Sequence, residues 1–390
     1  MNILIYATTF GADLLSMARY LESRPDVNLR ILVDDPDTIL REPVFSVWPL
    51  KTRLISKSMV RSLSGDSGFR ADITIMDNRL PLRRTSPAAL MLWHGFGWKG
   101  PNDLVEFRWL HRQITSRWGS ARKPNNRFIW QCFGPWDFEH RTSVSGFHPG
   151  NCRILGAASH DELVNPADRN LLQKGYPFDV TRRKTVLIAP TWHYGEVFSH
   201  WNGDEKVMTR LLDTIAERDA NAILRLHDSF RFEKKYVRWL RSLEQRYPDL
   251  ILKFKDQHPD NFMDMQVSDI LVTNFSSIAN LFYASGKPTI HIYPVRSGDE
   301  AFLWRKQTIV GQWVKKIPKA SYIWKLPPED NGGLMAYNEE ELISMTSHAL
   351  ENPDCCREKS REFLDRHMLG ADGKNRERIW GALNELMASQ

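Results

Sequence analysis

Polar and basic side chains follow several apolar segments of this sequence, at the points where predicted strands end. They fall in four short loops, at His94–Gly95, Pro190–His193, Arg225–His227 and Asn274–Ser277. The carboxyl ends of parallel strands gather at one edge of a sheet, and open α/β sheets bind their ligands there. If the chain forms two such sheets, we expect the four loops to line a single cleft between them.

His94 lies in a glycine-rich loop directly after an apolar run. An unperturbed imidazole titrates near neutral pH, so this side chain is suited to accept a proton from a hydroxyl nucleophile. The alternative is a histidine that only hydrogen-bonds its own loop. The pattern therefore indicates a catalytic base without excluding a structural role.

Arg225 and His227 alternate along a strand-like segment, and alternate residues of a strand point to the same face. A guanidinium and an imidazole on one face suit a phosphate or diphosphate, and His227 then also has a catalytic role. The alternative is an arginine paired with a nearby carboxylate and a histidine that caps a helix. Thr191 and Trp192 add a hydroxyl and an indole wall to the same site, although an indole at a strand end also suits simple packing.

The segment Val267–Pro294 has the pattern of a strand, a short polar turn at Asn274, a helix that opens on Ser276 and Ser277, and a second strand. Two hydroxyls beside unpaired backbone N–H groups make an anion site. The alternative is an ordinary serine N-cap.

The segment Lys99–Arg127 carries seven Lys or Arg and two acids, a local charge of +5 in a chain of +6. Its apolar residues are spaced for one face of an amphipathic helix. We predict that Lys99, Arg108, Arg112 and Trp118 contact an anionic membrane surface or a lipid-phosphate acceptor. The alternative is a core-facing helix with a solvated basic side.

Composition narrows the class of protein. A chain of 390 residues favours two domains. Its positive charge is mild and we find no DNA- or RNA-binding motif, so the sequence does not indicate nucleic-acid binding. The four cysteines lack metal-ligand spacing and fit a reducing cytoplasm. We find neither a signal-peptide pattern nor an apolar run of about 18 residues, so membrane contact is expected to be peripheral.

Strand and helix patterns alternate through both halves of the chain, which predicts an α/β fold. We place the boundary between 1–165 and 166–390, each half Rossmann-like, in a GT-B architecture with a central cleft. GxGxxG, Walker A and serine-elbow motifs are absent, and no metal cluster stands out. We therefore expect no cofactor and leave a divalent metal open.

Several segments together resemble the CDP-glycerol glycerophosphotransferase family, the TagB/TagF-like enzymes of teichoic acid assembly. They are LWHGFGWKG, LGAASHDELVN, LIAPTWH, ILRLHDS, the segment Val267–Pro294 and HMLGADGKNRERI. The resemblance covers roughly Met91 to the end of the chain. It implies a phospho-alcohol moved from a CDP-linked donor to a lipid- or glycan-linked acceptor, with release of CMP.

The resemblance also assigns roles. It implies that 1–165 binds the acceptor and 166–390 the nucleotide donor, with His94 as general base and Arg225, His227, Ser276 and Ser277 at the donor diphosphate. It implies a cytoplasmic enzyme at the inner face of the plasma membrane. A GT-B glycosyltransferase with a nucleotide-sugar donor is the alternative, and a binding protein without catalytic activity is a third possibility.

The sequence departs from the family pattern at several positions. Asn274 and Leu281 stand where the family usually has Asp, and His193 stands where it has Arg. Ala158 and Ser159 replace a Pro-Arg pair. The identity of the donor is therefore the main question that the sequence leaves open.

Overall fold

The computed structural model describes residues 1–8, 10–58, 69–93, 95–97, 102–190, 198, 201–226, 234–255, 257–274, 276–293, 301–308, 311–318 and 325–389, with 301–308 and 311–318 described by their backbone alone. Within these ranges, two parallel β-sheets each lie among helices. The predicted α/β class is confirmed.

The first sheet comes from the first part of the chain. Its strands are β1 (Asn2–Tyr6), β2 (Asn28–Val33), β3 (Leu54–Ser56), β4 (Ile73–Met76), β5 (Ala88–Met91), β6 (Phe128–Cys132) and β7 (Cys152–Ile154). They run in the order β3-β2-β1-β4-β5-β6-β7, and neighbours pair in parallel. Strands β4, β5 and β6 are buried along their whole length, because helices cover both faces of a parallel sheet.

The second sheet repeats this arrangement. Its strands are β8 (Thr185–Ile188), β9 (Asn221–Leu226), β10 (Leu250–Phe254), β11 (Ile270–Thr273), β12 (Thr289–Ile292) and β15 (Leu334–Ala336). Their order is β10-β9-β8-β11-β12-β15, all parallel. Chain order reverses direction between β8 and β11, which is the position where open α/β sheets form a ligand crevice.

The helices around the first sheet are α1 (Ala12–Glu22), α2 (Pro36–Leu40), α3 (Val44–Val47), α4 (Leu104–Trp118), α5 (Pro135–Ser143) and α6 (Ala158–Val164). Those that follow are α7 (Arg169–Leu172), α8 (Asp204–Glu217), α9 (Lys234–Arg246), α10 (Phe262–Val267), α11 (Ile278–Phe282), α12 (Glu339–Glu351), α13 (Arg357–His367) and α14 (Asn375–Ala388).

An antiparallel hairpin, β13 (Ala301–Thr308) and β14 (Gly311–Pro318), lies between β12 and β15 in the chain and forms a sheet of its own. The sequence analysis did not predict it.

The last two helices connect the halves of the molecule. Helix α13 packs against the turn Tyr283–Ser285 and against α5 of the first half. Helix α14 packs on α1, α6 and strands β4 to β6. The last helix, which lies within 166–390, therefore completes the core of the first sheet.

Candidate active site

Two contacts show which edges of the two sheets face each other. A Cβ atom built on Gly95 would lie 3.5 Å from Oγ of Ser277, and one built on Gly11 would lie 3.4 Å from Oδ1 of Asp260. Gly95 and Gly11 follow β5 and β1, whereas Ser277 and Asp260 follow β11 and β10. The carboxyl ends of both sheets therefore meet, as expected for a GT-B cleft.

Two loops meet at the first of these contacts. We name residues 94–97 the histidine loop and residues 274–277 the serine loop. His94 itself lies outside the described residues, and so do Thr191, Trp192, His193 and His227. The close approach of Gly95 to Ser277 nevertheless brings the histidine loop against the serine loop, as the sequence predicted for one cleft.

The serine loop begins directly after β11. Asn274 is 2% exposed, whereas Ser276 and Ser277 are half-buried at the cleft. Ser277 stands at the N-cap position of α11, but its side chain makes no capping hydrogen bond. The alternative interpretation of Ser277 as an ordinary N-cap is therefore not what the structure shows.

Arg225 has the alternative role that the sequence left open for it. It is 7% exposed, its Nη1 lies 3.0 Å from Oδ2 of Asp264, and its Nη2 donates to the carbonyl of His258. Its terminal nitrogens are thus engaged within the protein. This is the pairing with a nearby carboxylate that the sequence analysis offered as the alternative, and contact of Arg225 with the donor stays a prediction.

Asp264 joins three side chains below the cleft. Its Oδ1 accepts hydrogen bonds from Lys253 Nζ at 2.6 Å and from the Tyr176 hydroxyl at 2.7 Å, and its Oδ2 accepts the bond from Arg225. Burial by itself would raise the pKa of Asp264, but the charges of Lys253 and Arg225 hold it below its ordinary value. Asp264 is therefore an ionised carboxylate that neutralises buried cations.

Helix α4 contains the basic segment, and its two faces differ. The predicted apolar face is buried, including Phe107, Leu110 and Ile114. Trp118 belongs to this buried face: it is 1% exposed and its Nε1 donates to the carbonyl of Ser86 at 3.1 Å. The prediction of a surface role for Trp118 is therefore wrong, because its spacing places it in the core.

The outer face of α4 carries exposed apolar and basic residues together. Val105 is 67% exposed and Trp109 58%, and both lie at helical spacing from the exposed Arg108 and Arg112. Leu82, which is 71% exposed, lies near the C-terminal end of the same helix, where Arg117 donates to its carbonyl. We name this surface the α4 patch.

The sequence analysis missed Val105, Trp109 and Leu82, although the spacing of 105, 109 and 112 could have revealed the first two. Lys99 lies outside the described residues.

An aromatic bridge lies behind the two loops. The ring of Phe363 on α13 has its centroid 6.1 Å from that of Phe96 in the histidine loop and 5.1 Å from that of Tyr283 just after α11. Phe96 also packs on Trp136 of α5, at 4.8 Å. These residues are scattered along the chain, so no local pattern in the sequence could have grouped them.

Two further segments that resemble the family, LGAASHDELVN and HMLGADGKNRERI, also come together. Asp161 of LGAASHDELVN accepts hydrogen bonds from the backbone N–H groups of Asn375 and Arg376, at 2.9 and 2.8 Å. These are the first residues of α14, in the closing segment. Asp161 thus caps a helix that is distant in sequence, and its role is structural.

The described part of the chain shows no group of three or more His, Cys, Asp or Glu side chains placed to hold a metal ion. No helix among the described residues is long and apolar enough to cross a bilayer.

Comparison with known families bears on this site. The model of the CDP-glycerol:poly(glycerophosphate) glycerophosphotransferase family matches residues 143–295, which include the serine loop but not the histidine loop. The predicted resemblance to this family is confirmed. No curated protein matches the sequence.

Solved structures with the same fold include the wall teichoic acid polymerase TagF. It superposes with a TM-score of 0.69 at 14% identity, over 99% of this chain and 89% of that one. A TagF variant soaked with CDPG gives 0.69 at 14%, over 99% and 88%. S. aureus MnaA with UDP gives 0.54 at 11%, over 98% and 95%. The GT-B architecture predicted from the sequence is confirmed by these likenesses, which concern the fold.

Proposed function

We propose that this protein transfers a phospho-alcohol, such as glycerol phosphate, from a CDP-linked donor to an acceptor hydroxyl and releases CMP. The observation that carries the proposal is the approach of the histidine loop to the serine loop, at Gly95 and Ser277. In this proposal, His94 of the histidine loop is the general base from one half, and the serine loop is the phosphate-binding loop from the other. This is the arrangement that transfer between two bound substrates requires.

In the proposed reaction, His94 takes the proton of the acceptor hydroxyl. The hydroxyl oxygen bonds to the phosphorus that carries the alcohol, and the bond from that phosphorus to the bridging oxygen breaks, so that CMP leaves with the electron pair. The hydroxyls of Ser276 and Ser277 and neighbouring N–H groups stabilise the negative charge. His227, Thr191 and Trp192 are proposed to line the same donor pocket.

Arg225 supports the donor half indirectly in this proposal. Its guanidinium is bound to Asp264 and to the carbonyl of His258, so it braces the segment between β10 and α10. Asn274 and Leu281 replace the acids that the family usually has. A donor pocket with fewer acids tolerates a more anionic or less hydroxylated alcohol, so CDP-glycerol is the first donor to test and not the only one.

We propose a lipid- or glycan-linked acceptor that reaches the cleft from a membrane surface. The α4 patch supports this, since exposed apolar side chains interleaved with arginines suit the interface of an anionic bilayer. The protein would then act as a peripheral enzyme at the inner face of the plasma membrane. A divalent metal is not part of the proposed mechanism.

Release of CMP from CDP-glycerol in the presence of membrane lipid acceptors tests the proposal. His94→Ala should lower the rate by between about 100-fold and 10,000-fold, the usual contribution of general base catalysis. His348→Ala is the matched control, since His348 is exposed on α12, and it should leave the rate unchanged. A His94→Ala rate within about threefold of wild type would contradict the assignment of the base.

Donor identity is tested separately by thermal shift. CDP-glycerol should raise the unfolding temperature, because a ligand that binds only the native state stabilises it. Stabilisation by UDP- or GDP-sugars without any by CDP-alcohols would overturn the proposal and favour the glycosyltransferase alternative.

A further inference from the structure

His291 is a buried polar residue in an apolar strand. It lies in β12 between Ile290 and Ile292, is 0% exposed, and has both ring nitrogens engaged. Its Nδ1 is 2.9 Å from the carbonyl oxygen of Asn274, and its Nε2 is 2.6 Å from the hydroxyl of Tyr283. One ring thus connects the first residue of the serine loop to a tyrosine behind it.

The direction of each hydrogen bond follows from the groups involved. The Tyr283 hydroxyl has a hydrogen to donate, and the unprotonated ring nitrogen of a neutral histidine can only accept it. The Asn274 carbonyl can only accept, so Nδ1 of His291 carries the ring hydrogen. Burial lowers the pKa of His291 to about 4, so the ring is neutral and keeps this single tautomer near neutral pH.

We propose that His291 is a positioning residue that fixes the serine loop by holding the carbonyl of Asn274 away from the cleft. This rests on the proposed function in one respect, namely that the serine loop binds the phosphate of the donor. A carbonyl oxygen turned toward that phosphate would repel it, because both carry negative charge. The bond from His291 removes this possibility before the donor arrives.

An apolar side chain at 291 would avoid the cost of burying a polar ring. The chain instead places a histidine there and satisfies both of its nitrogens, with Tyr283 packed in turn on Phe363. A fully satisfied polar chain of this kind fixes one arrangement of the groups at its end. The group at its end is the serine loop.

Two substitutions separate the two bonds of the ring. In His291→Asn the amide nitrogen takes the place of Nδ1 and still donates to Asn274, whereas in His291→Gln the amide reaches the place of Nε2 and that donor is lost. Hydrogen–deuterium exchange of the segment 270–279 should be about tenfold faster in His291→Gln than in His291→Asn, as expected for loss of one buried hydrogen bond. Unfolding temperatures of both variants show whether each still folds.

Kinetics give a second, independent measurement. His291→Gln should raise KM for CDP-glycerol about tenfold more than His291→Asn does, with a smaller effect on kcat, because the donor loop and not the base is disturbed. Tyr283→Phe removes only the hydroxyl, and its KM for CDP-glycerol should lie between those of His291→Asn and His291→Gln. Tyr247→Phe is its matched control, since it removes a hydroxyl bound to Asp213 far from the cleft.

The outcomes are distinct. Equal exchange of 270–279 in His291→Asn and His291→Gln would overturn the positioning role, whatever the activity. Faster exchange in His291→Gln supports that role even if wild-type protein releases no CMP, in which case only the proposed function fails. Faster exchange with an unchanged KM in an active enzyme would show that the loop is positioned but does not bind the donor, which would overturn the catalytic part of the inference.

Discussion

At the scale of single residues, the site depends on buried polar groups whose partners come from other segments. Arg225 and Lys253 are 7% and 4% exposed, and both bind the carboxylate of Asp264. A buried ion pair of this kind stabilises little compared with apolar packing, but removal of one partner leaves a buried charge uncompensated. The three residues therefore act as one unit.

Asp264→Asn tests this unit. The substitution preserves shape but leaves two buried cations without a carboxylate, so we expect a loss of about 3–5 kcal/mol in the free energy of unfolding, measured with urea. Glu340→Gln is the control, because Glu340 pairs with Arg210 at the exposed surface and the substitution should leave the free energy of unfolding nearly unchanged. Equal effects of the two substitutions would contradict the role given to Asp264.

At the scale of elements, helix α4 combines two functions on opposite faces. Its inner face completes the core of the first half with Phe107, Leu110 and Trp118. Its outer face exposes Val105 and Trp109 beside arginines. Core packing accounts for the first set but not for the second, since large exposed apolar side chains that cluster mark an interaction surface.

Trp109→Ala should reduce binding to anionic vesicles, because an indole at the bilayer interface contributes apolar area that alanine lacks. We expect a several-fold loss in a flotation assay with phosphatidylglycerol-containing liposomes at low salt. Leu40→Ala is the matched control, since Leu40 is 50% exposed on α2, outside the α4 patch. If wild-type protein does not float with these liposomes even at low salt, the membrane role of the α4 patch is wrong.

At the scale of the whole molecule, the two halves share one core and several polar contacts. A single cluster of buried apolar residues includes Ile3 and Leu90 of the first sheet together with Leu187 and Leu271 of the second. His160 of α6 lies with its Nε2 3.1 Å from the carbonyl of Asn280 in α11. The halves are thus joined by buried contacts as well as by α13 and α14.

Buried histidines give this assembly a predictable pH dependence. Burial lowers the pKa of His140, His160 and His291 to about 4 in each case. Between about pH 6.5 and 4 the unfolded chain binds protons that the native state does not, so the free energy of unfolding falls as pH is lowered. The full effect for His160 and for His291 is on the order of 3 kcal/mol each.

Asp260 has the opposite effect. Burial and the charge of Asp264 raise its pKa to about 6, so as pH falls the native state binds this proton before the unfolded chain does and is stabilised. Burial also raises the pKa of Asp13 and of Asp137, so these two carboxyl groups act in the same direction as Asp260. We expect the three histidines to outweigh them between about pH 7 and 5, so that the free energy of unfolding falls on acidification. Urea unfolding at pH 7, 6, 5 and 4.5 measures this change in the free energy of unfolding. Stability that stays constant or rises over this range would contradict the prediction, whereas His291→Asn and wild type should converge as pH falls.

The sequence by itself determined much of the architecture. Alternating apolar segments of strand and helix length predict two parallel sheets, since the periods of the two elements are local properties of the chain. The position of the serine loop after β11 and of the histidine loop after β5 followed from the same pattern. The family resemblance, carried by short motifs, added the chemistry of the cleft.

Only the tertiary structure decided which polar groups meet. Arg225 could pair with a carboxylate or face a phosphate, and the position of Asp264 on α10 gives it a carboxylate partner. Trp118 and Trp109 both belong to a basic aromatic helix, and packing against the first sheet buries one and exposes the other. His291, Tyr283 and Asn274 lie on different elements, so the bonds that join them depend on how β11, β12 and α11 pack. Local patterns fix the period of an element, but the partners of a side chain depend on contacts between segments that are distant in sequence.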